Sequence, residues 1–207
     1  MTNNTNEIKN QEVKAVGVEV KPVTPVLKRD FILNENVTEA SVKEIITGIL
    51  AVNKHDAKKS KEDPNYTPEP ITVVVGTYGG SVYDGLGIVS AIDSSETPVH
   101  TYCYSKAMSM GFIIFASGHK RFAHPLATFM YHQIILGTHN DLKGLLYAVE
   151  QSETLQETVD SYILAHTNMP LHKMEEHKNM RKDWYIPATE AFHYGLVDEL
   201  LVSKRKR

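Results

Sequence analysis

An α/β domain built on a parallel sheet is what this 207-residue sequence predicts, and three observations carry that prediction. Ile71-Thr72-Val73-Val74-Val75 is a short β-branched run, the pattern of a strand buried on both faces. After a turn at Gly76–Ser81, Val82, Leu86, Val89 and Ile92 recur at helical spacing. Pro98 then precedes a second strand-like run, Val99–Tyr104. A strand–helix–strand unit of this kind joins parallel strands by a right-handed crossover.

The remaining elements follow in order. Met1 to about Pro25 is polar and without sustained periodicity, which predicts a mobile arm over residues 1–25 ahead of one domain over 26–202. Arg29–Leu33 reads as a short extended run. Thr38 can cap a helix whose apolar face is Val42, Ile45, Ile46, Ile49 and Leu50. Lys54–Pro70, charged and containing Pro64, Pro68 and Pro70, reads as an exposed loop. Ser105–Ser109 reads as a turn and Gly111–Ala116 as a compact apolar helix closed by Gly118. Arg121–Ala123 and Thr128–His132 read as strands on either side of a turn at Pro125. From Asp141 to about His166 the spacing predicts the longest helix, with Leu142, Leu145, Leu146, Val149, Leu155, Val159, Tyr162 and Ile163 on one stripe. Such a length exceeds the usual globular helix, so it is expected to project and bury its stripe against another surface. Pro187–Tyr194 predicts a last short helix stopped by Gly195, and Leu196–Val202 a last strand, followed by a basic tail at 203–207.

Composition narrows the function classes. A net charge of −3 gives no field that would select nucleic acid or an anionic membrane. The polar start lacks the apolar core of a secretory signal, and no apolar run approaches the ~20 residues of a membrane span. Cys103 is the only cysteine, so no intrachain disulfide can form, which suits a reducing compartment; the cytoplasm is the expected location. There is no His-Glu-x-x-His motif and no paired cysteine spacing, and His166, His172 and His177 match no common zinc spacing.

Four places could carry chemistry. Ser109 lies at a strand-to-helix turn, Ser105-Lys106-Ala107-Met108-Ser109-Met110-Gly111, where a hydroxyl stands clear and a helix N-terminus supplies N–H groups. A serine there can equally be an ordinary helix cap. His132 ends the apolar strand Thr128-Phe129-Met130-Tyr131, and Asp183 precedes Trp184-Tyr185; each could be structural, with Glu175, Glu176 and Asp198 as rival carboxylates. Gly79-Gly80-Ser81 can turn backbone N–H groups outward, as an oxyanion site requires. It has neither the P-loop lysine nor the three-glycine dinucleotide fingerprint. Gly48, Gly85 and Gly87 read as packing accommodation, and Met108, Met110 and Phe129 as either pocket lining or core.

Taken together, Tyr78-Gly79-Gly80-Ser81-Val82, Ala107-Met108-Ser109-Met110-Gly111, Phe129-Met130-Tyr131-His132-Gln133 and Glu190-Ala191-Phe192-His193-Tyr194-Gly195-Leu196-Val197-Asp198 resemble the ClpP family of serine peptidases. Block order and the distances between glycine pair, serine and histidine agree, over roughly Arg29–Leu201. The resemblance implies the ClpP/crotonase-type repeated β-β-α superhelix with a projecting handle, here the helix at about 141–166. It implies Ser109 as nucleophile, His132 as general base, Asp183 as the orienting carboxylate, and the N–H groups of Gly80 and Met110 as the oxyanion hole. No cofactor and no metal are implied. The substrate would be a peptide or an unfolded protein, cleaved inside a homo-oligomer of stacked, heptameric rings fed by a hexameric AAA+ unfoldase.

The sequence departs from the family pattern at Tyr78 and Ile134, where proline is usual, and in longer segments at Lys54–Pro70 and Thr167–Asp183. The arm also lacks the family's usual pore sequence, which is the element that would meet the ATPase. These departures fit a divergent member, such as a phage-encoded or plastid-type one. Two other readings share the fold: a non-catalytic ring subunit, and a crotonase-like acyl-CoA enzyme with an oxyanion hole but no serine nucleophile.

Overall fold

The computed structural model describes residues 27–202. The arm and the basic tail of the sequence reading lie outside the described residues.

β1 (Asp30–Leu33) is followed by α1 (Glu39–Glu62). Thr38 caps α1 and forms a capping box with Ser41, whose hydroxyl accepts from the Thr38 N–H. The helix runs on through the segment expected to be an exposed loop. Val42, Ile45, Ile49, Val52 and Asp56 continue one buried face past Lys54, the lysine- and glutamate-rich stretch to Glu62 favours helix, and Pro64 enforces the stop. Leu50, placed on the apolar face by periodicity, points to solvent instead.

β2 (Ile71–Val75), α2 (Val82–Asp93) and β3 (Val99–Cys103) form the expected parallel unit, with Ile71 opposite Val99. β4 (Lys106–Met108) occupies part of the expected turn, because it pairs in parallel with β6. α3 (Met110–Ala116), β5 (Lys120–Ala123) and β6 (Thr128–Tyr131) come next. α4 (Leu142–His166) is capped by Asp141, whose carboxylate accepts from the Gly144 N–H at 2.8 Å. α5 (Leu171–Met180), which the sequence reading did not assign, ends on Arg181 in the left-handed region at φ 53°. β7 (Trp184–Pro187), α6 (Ala188–His193) and a β8 of two residues, Glu199–Leu200, complete the chain; β8 is shorter than the strand expected there.

Five strands form a parallel sheet in the order β1-β2-β3-β5-β8, and three form a second sheet, β4-β6-β7, with β7 antiparallel to β6. The core lies between the large sheet and α1, α2 and α3, with Val73, Val75, Ile88, Ile92, Ile114 and Phe115 fully buried. β2 and β3 alternate buried and half-buried residues, so β2 is covered on one face only, against the expectation of burial on both. The other face carries Ile32, Thr72, Val74, Tyr102 and Phe122. Two glycines do make room: a Cβ on Gly48 would meet the Phe31 ring at 2.1 Å, and one on Gly85 would meet Met110 at 2.1 Å.

A buried ion pair anchors α1 to the sheet. Asp56, 2% exposed, accepts from both Arg29 guanidinium nitrogens, from the Tyr66 hydroxyl at 2.7 Å and from the Thr97 hydroxyl at 2.7 Å. Burial by itself raises the Asp56 carboxyl, but Arg29, Tyr66, His55 and Thr97 together hold it well below the usual carboxylate range. A carboxylate with a depressed folded-state value adds stability above its unfolded value of about 3.9 and loses it as pH falls towards the folded value. Denaturant melts between pH 6 and pH 2 should therefore show a falling acid limb starting below about pH 5, and Asp56→Asn should flatten it while lowering stability at neutral pH. An unchanged acid limb in that variant would assign acid sensitivity to other groups.

Candidate active site

Ser109 follows directly on β4 and precedes α3, and its backbone sits at φ 52°, ψ −123°. A non-glycine residue in that region carries strain that the surroundings must hold. Two hydrogen bonds hold the turn: the Ser109 N–H donates to Met130 O at 2.9 Å and the Met108 N–H to Thr77 O at 3.1 Å. Ser109 precedes the helix, but its side chain makes no capping bond, so the cap reading falls away. Its Oγ lies 2.7 Å from His132 Nε2.

His132 reaches that position because β4 and β6 run in parallel, with Met108 opposite Met130. Ser109 and His132 thus leave neighbouring strands at the same end.

Asp183 comes from the antiparallel partner. β6 and β7 pair Thr128 with Pro187 and Tyr131 with Trp184. Asp183 and His132 are the residues next beyond that last pair, and both line one pocket. The carboxylate is exposed and accepts from the Tyr185 hydroxyl at 3.3 Å. No hydrogen bond joins it to His132 among the described residues. The structure therefore brings Ser109 and His132 into contact and leaves Asp183 on the rim of the same pocket, unbonded to the imidazole.

The glycine pair packs directly on the serine turn. A Cβ on Gly79 would lie 2.7 Å from Ser109 Cβ, 2.9 Å from Met108 O and 3.1 Å from Met110 N. Gly79 and Gly80 take φ 109° and 150°, conformations that L side chains rarely adopt. Thr77 steadies the loop by accepting from the Gly79 N–H at 3.0 Å, while Val37 donates to Gly79 O and accepts from the Ser81 N–H, each at 2.9 Å. Neither the Gly80 nor the Met110 N–H finds an acceptor among the described residues, and two free donors beside the Ser109 turn are the kind of arrangement an oxyanion would need. Sequence reasoning missed Thr77 and Val37, because their contribution is mostly backbone and no motif marks it.

Ser109, His132, Asp183, Gly80 and Met110 line one pocket of about 640 Å³. Met108, Met110, Ile113, Met130 and Val159 supply apolar walls, with Tyr78 and Tyr185 at its rim. Phe129 is core, fully buried and edge-on to Phe112. The lone Cys103 is buried too, and burial pushes its thiol up to about 12, so it is no rival nucleophile near neutral pH. His177 stacks on Trp184 and His166 on Tyr162. Among the described residues no group of three or more His, Cys, Asp or Glu is placed to hold a metal ion, and no helix is long and apolar enough to cross a membrane.

A comparison with protein-family models finds one matching residues 19–204, the Clp protease family. The chain belongs to that family. It is thus a ClpP-type peptidase by kinship, and its mixed α/β fold with a parallel sheet is the fold that kinship implies.

Proposed function

We propose that this Clp protease family member hydrolyses peptide bonds through an acyl-enzyme on Ser109. The observation that carries the reading is the 2.7 Å approach of Ser109 Oγ to His132 Nε2 on a strained, uncapped turn. Ser109 Oγ attacks the peptide carbonyl carbon as His132 Nε2 takes its proton. The Gly80 and Met110 N–H groups hold the oxyanion of the tetrahedral intermediate. His132 returns the proton to the leaving amine, and water, deprotonated by the same imidazole, releases the acyl group. Asp183 supplies the negative charge beside the imidazolium; its bond to Nδ1 forms by rotation of an exposed side chain now held only by Tyr185. Such bonds are often unmade before substrate binds. The apolar walls suit an aliphatic or aromatic substrate side chain.

The chamber reading is supported by α4. Leu142, Leu145, Leu146, Tyr147 and Val149 are exposed on its first half, whereas Val159 and Ile163 pack into the body. An apolar stripe left open in this way suits a second copy, as the handle of a ring-to-ring contact would require. The uncovered sheet face supports an apolar docking partner such as an unfoldase: Tyr102 stacks on Phe122 at 4.6 Å and on Tyr104 at 6.3 Å. A serine-free acyl-CoA mechanism is disfavoured, because it gives the Ser109–His132 contact no task.

Labelling by a fluorophosphonate probe tests the nucleophile. The wild-type chain should label and cleave a peptide with an apolar residue before the scissile bond, and Ser109→Ala should do neither. Label that persists on folded Ser109→Ala would reassign the nucleophile. A monomeric mass in light scattering, together with full peptidase activity, would remove the chamber.

A further inference from the structure

A buried polar cluster adjoins the pocket, and the mechanism above does not use it: Tyr131 and Gln156 form part of the wall, while Asp160 does not line it. Tyr131, Gln156 and Asp160 are 2%, 8% and 7% exposed. The Tyr131 hydroxyl donates to Asp160 Oδ1 at 2.6 Å, and Gln156 Nε2 donates to the same oxygen at 2.8 Å. Gln156 Oε1 in turn accepts from the Ile134 N–H at 2.7 Å. Half-buried Lys178 of α5 donates to Asp160 Oδ2 at 2.5 Å. Burial, reinforced by the bond to Asp160, holds the Tyr131 hydroxyl above the ordinary tyrosine range, so it stays a donor.

The cluster's attachment points are informative. Tyr131 is the residue before His132, and Ile134 is two residues after it. One carboxylate on α4 therefore grips the strand on both sides of the imidazole, on one side through Tyr131 and on the other through Gln156. Lys178 neutralises that carboxylate from α5, the helix that leads through the left-handed Arg181 to Asp183. A helix–sheet contact needs no buried ion pair for stability, and apolar residues of similar size commonly hold such contacts as well or better. A fully bonded polar cluster, by contrast, admits one geometry.

We propose that Asp160 is a positioning residue for His132, acting through Tyr131 and Gln156, with Lys178 as its counter-charge. This rests on the peptidase reading of Ser109 and His132. Asp160 and Lys178 do not line the pocket that holds Ser109, so their removal acts on turnover without removing a substrate contact.

The test uses the full chain in its assembled state. Asp160→Asn keeps the shape and loses the charge. Asp160→Leu/Lys178→Met replaces the ion pair by apolar packing of similar size. Peptide kcat and KM, the rate of fluorophosphonate labelling, circular dichroism and thermal melting are measured for both, beside wild type and Ser109→Ala. In both folded variants kcat and labelling rate should fall by about 10- to 100-fold, with KM within about twofold of wild type. The apolar double variant should recover thermal stability without recovering kcat. Wild-type kcat and labelling in folded Asp160→Asn would overturn the inference, as would activity that returns together with stability in the double variant. Should the double variant fail to fold, Asp160→Asn alone decides. A wild-type chain without Ser109-dependent labelling would instead overturn the peptidase reading, and this inference with it.

Discussion

His132→Ala is expected to lose about 10⁴- to 10⁶-fold in kcat for peptide hydrolysis, with KM nearly unchanged. A serine hydroxyl is a poor nucleophile at its ordinary ionisation, and the base in contact with it among the described residues is the imidazole 2.7 Å away. Removing the proposed base leaves the Gly80 and Met110 N–H groups and the pocket in place, so a residual rate above that of water should persist. In the proposed mechanism the two residues act as one unit, so Ser109→Ala/His132→Ala should be no slower than either single variant. Losses that multiply would mean that the two groups act in separate steps. Asp183→Asn should cost less than His132→Ala, since serine and histidine are in contact without it.

Gly79→Ala should damage both folding and chemistry. The residue is buried at φ 109°, and an added Cβ would press on Ser109 Cβ, Met108 O and Met110 N at once. Two of these are backbone atoms of the strained turn, which cannot move aside as a flexible side-chain tip can. Strain and overpacking together should cost about 2–4 kcal/mol of stability. Whatever relaxation follows should pull the Met110 N–H out of the proposed oxyanion site, with a further loss of about 10²- to 10³-fold in kcat. Gly87→Ala is the control. It lies within α2, where a Cβ would meet only the Ile46 side-chain tip at 3.4 Å, so helix propensity should make it neutral or slightly stabilising. Denaturant melts and peptide kinetics on both variants separate the cases. A stable, active Gly79→Ala would show that the turn tolerates rearrangement.

Much of this architecture is written in local pattern. The β-branched run at 71–75, the helical spacing from Val82 to Ile92, the Thr38 cap and the long periodic stretch after Asp141 each specify an element through short-range forces. Local pattern misled where long-range pairing or burial took over. Lys106–Met108 is a strand only because β6 lies beside it, and 54–62 is helix because Val52 and Asp56 extend the buried face.

The candidate residues divide in the same way. Ser109, His132, Gly80 and Met110 could be proposed from motif blocks in order, and Asp183 from its offset to the last helix, since residue type and spacing survive in a one-dimensional string. Whether Ser109 capped its helix could not be read there. That depended on a positive φ and on the parallel register that delivers His132 to its hydroxyl. Nor could the sequence point to Asp160. Its partners stand 29 residues back at Tyr131, four back at Gln156 and 18 ahead at Lys178, and only the packing of α4 against β6 and α5 brings them together. The sequence by itself determined which groups are available for chemistry, because chemistry is a property of residue type. The tertiary structure alone decided which of them touch, because register, backbone strain and burial arise between segments rather than within them.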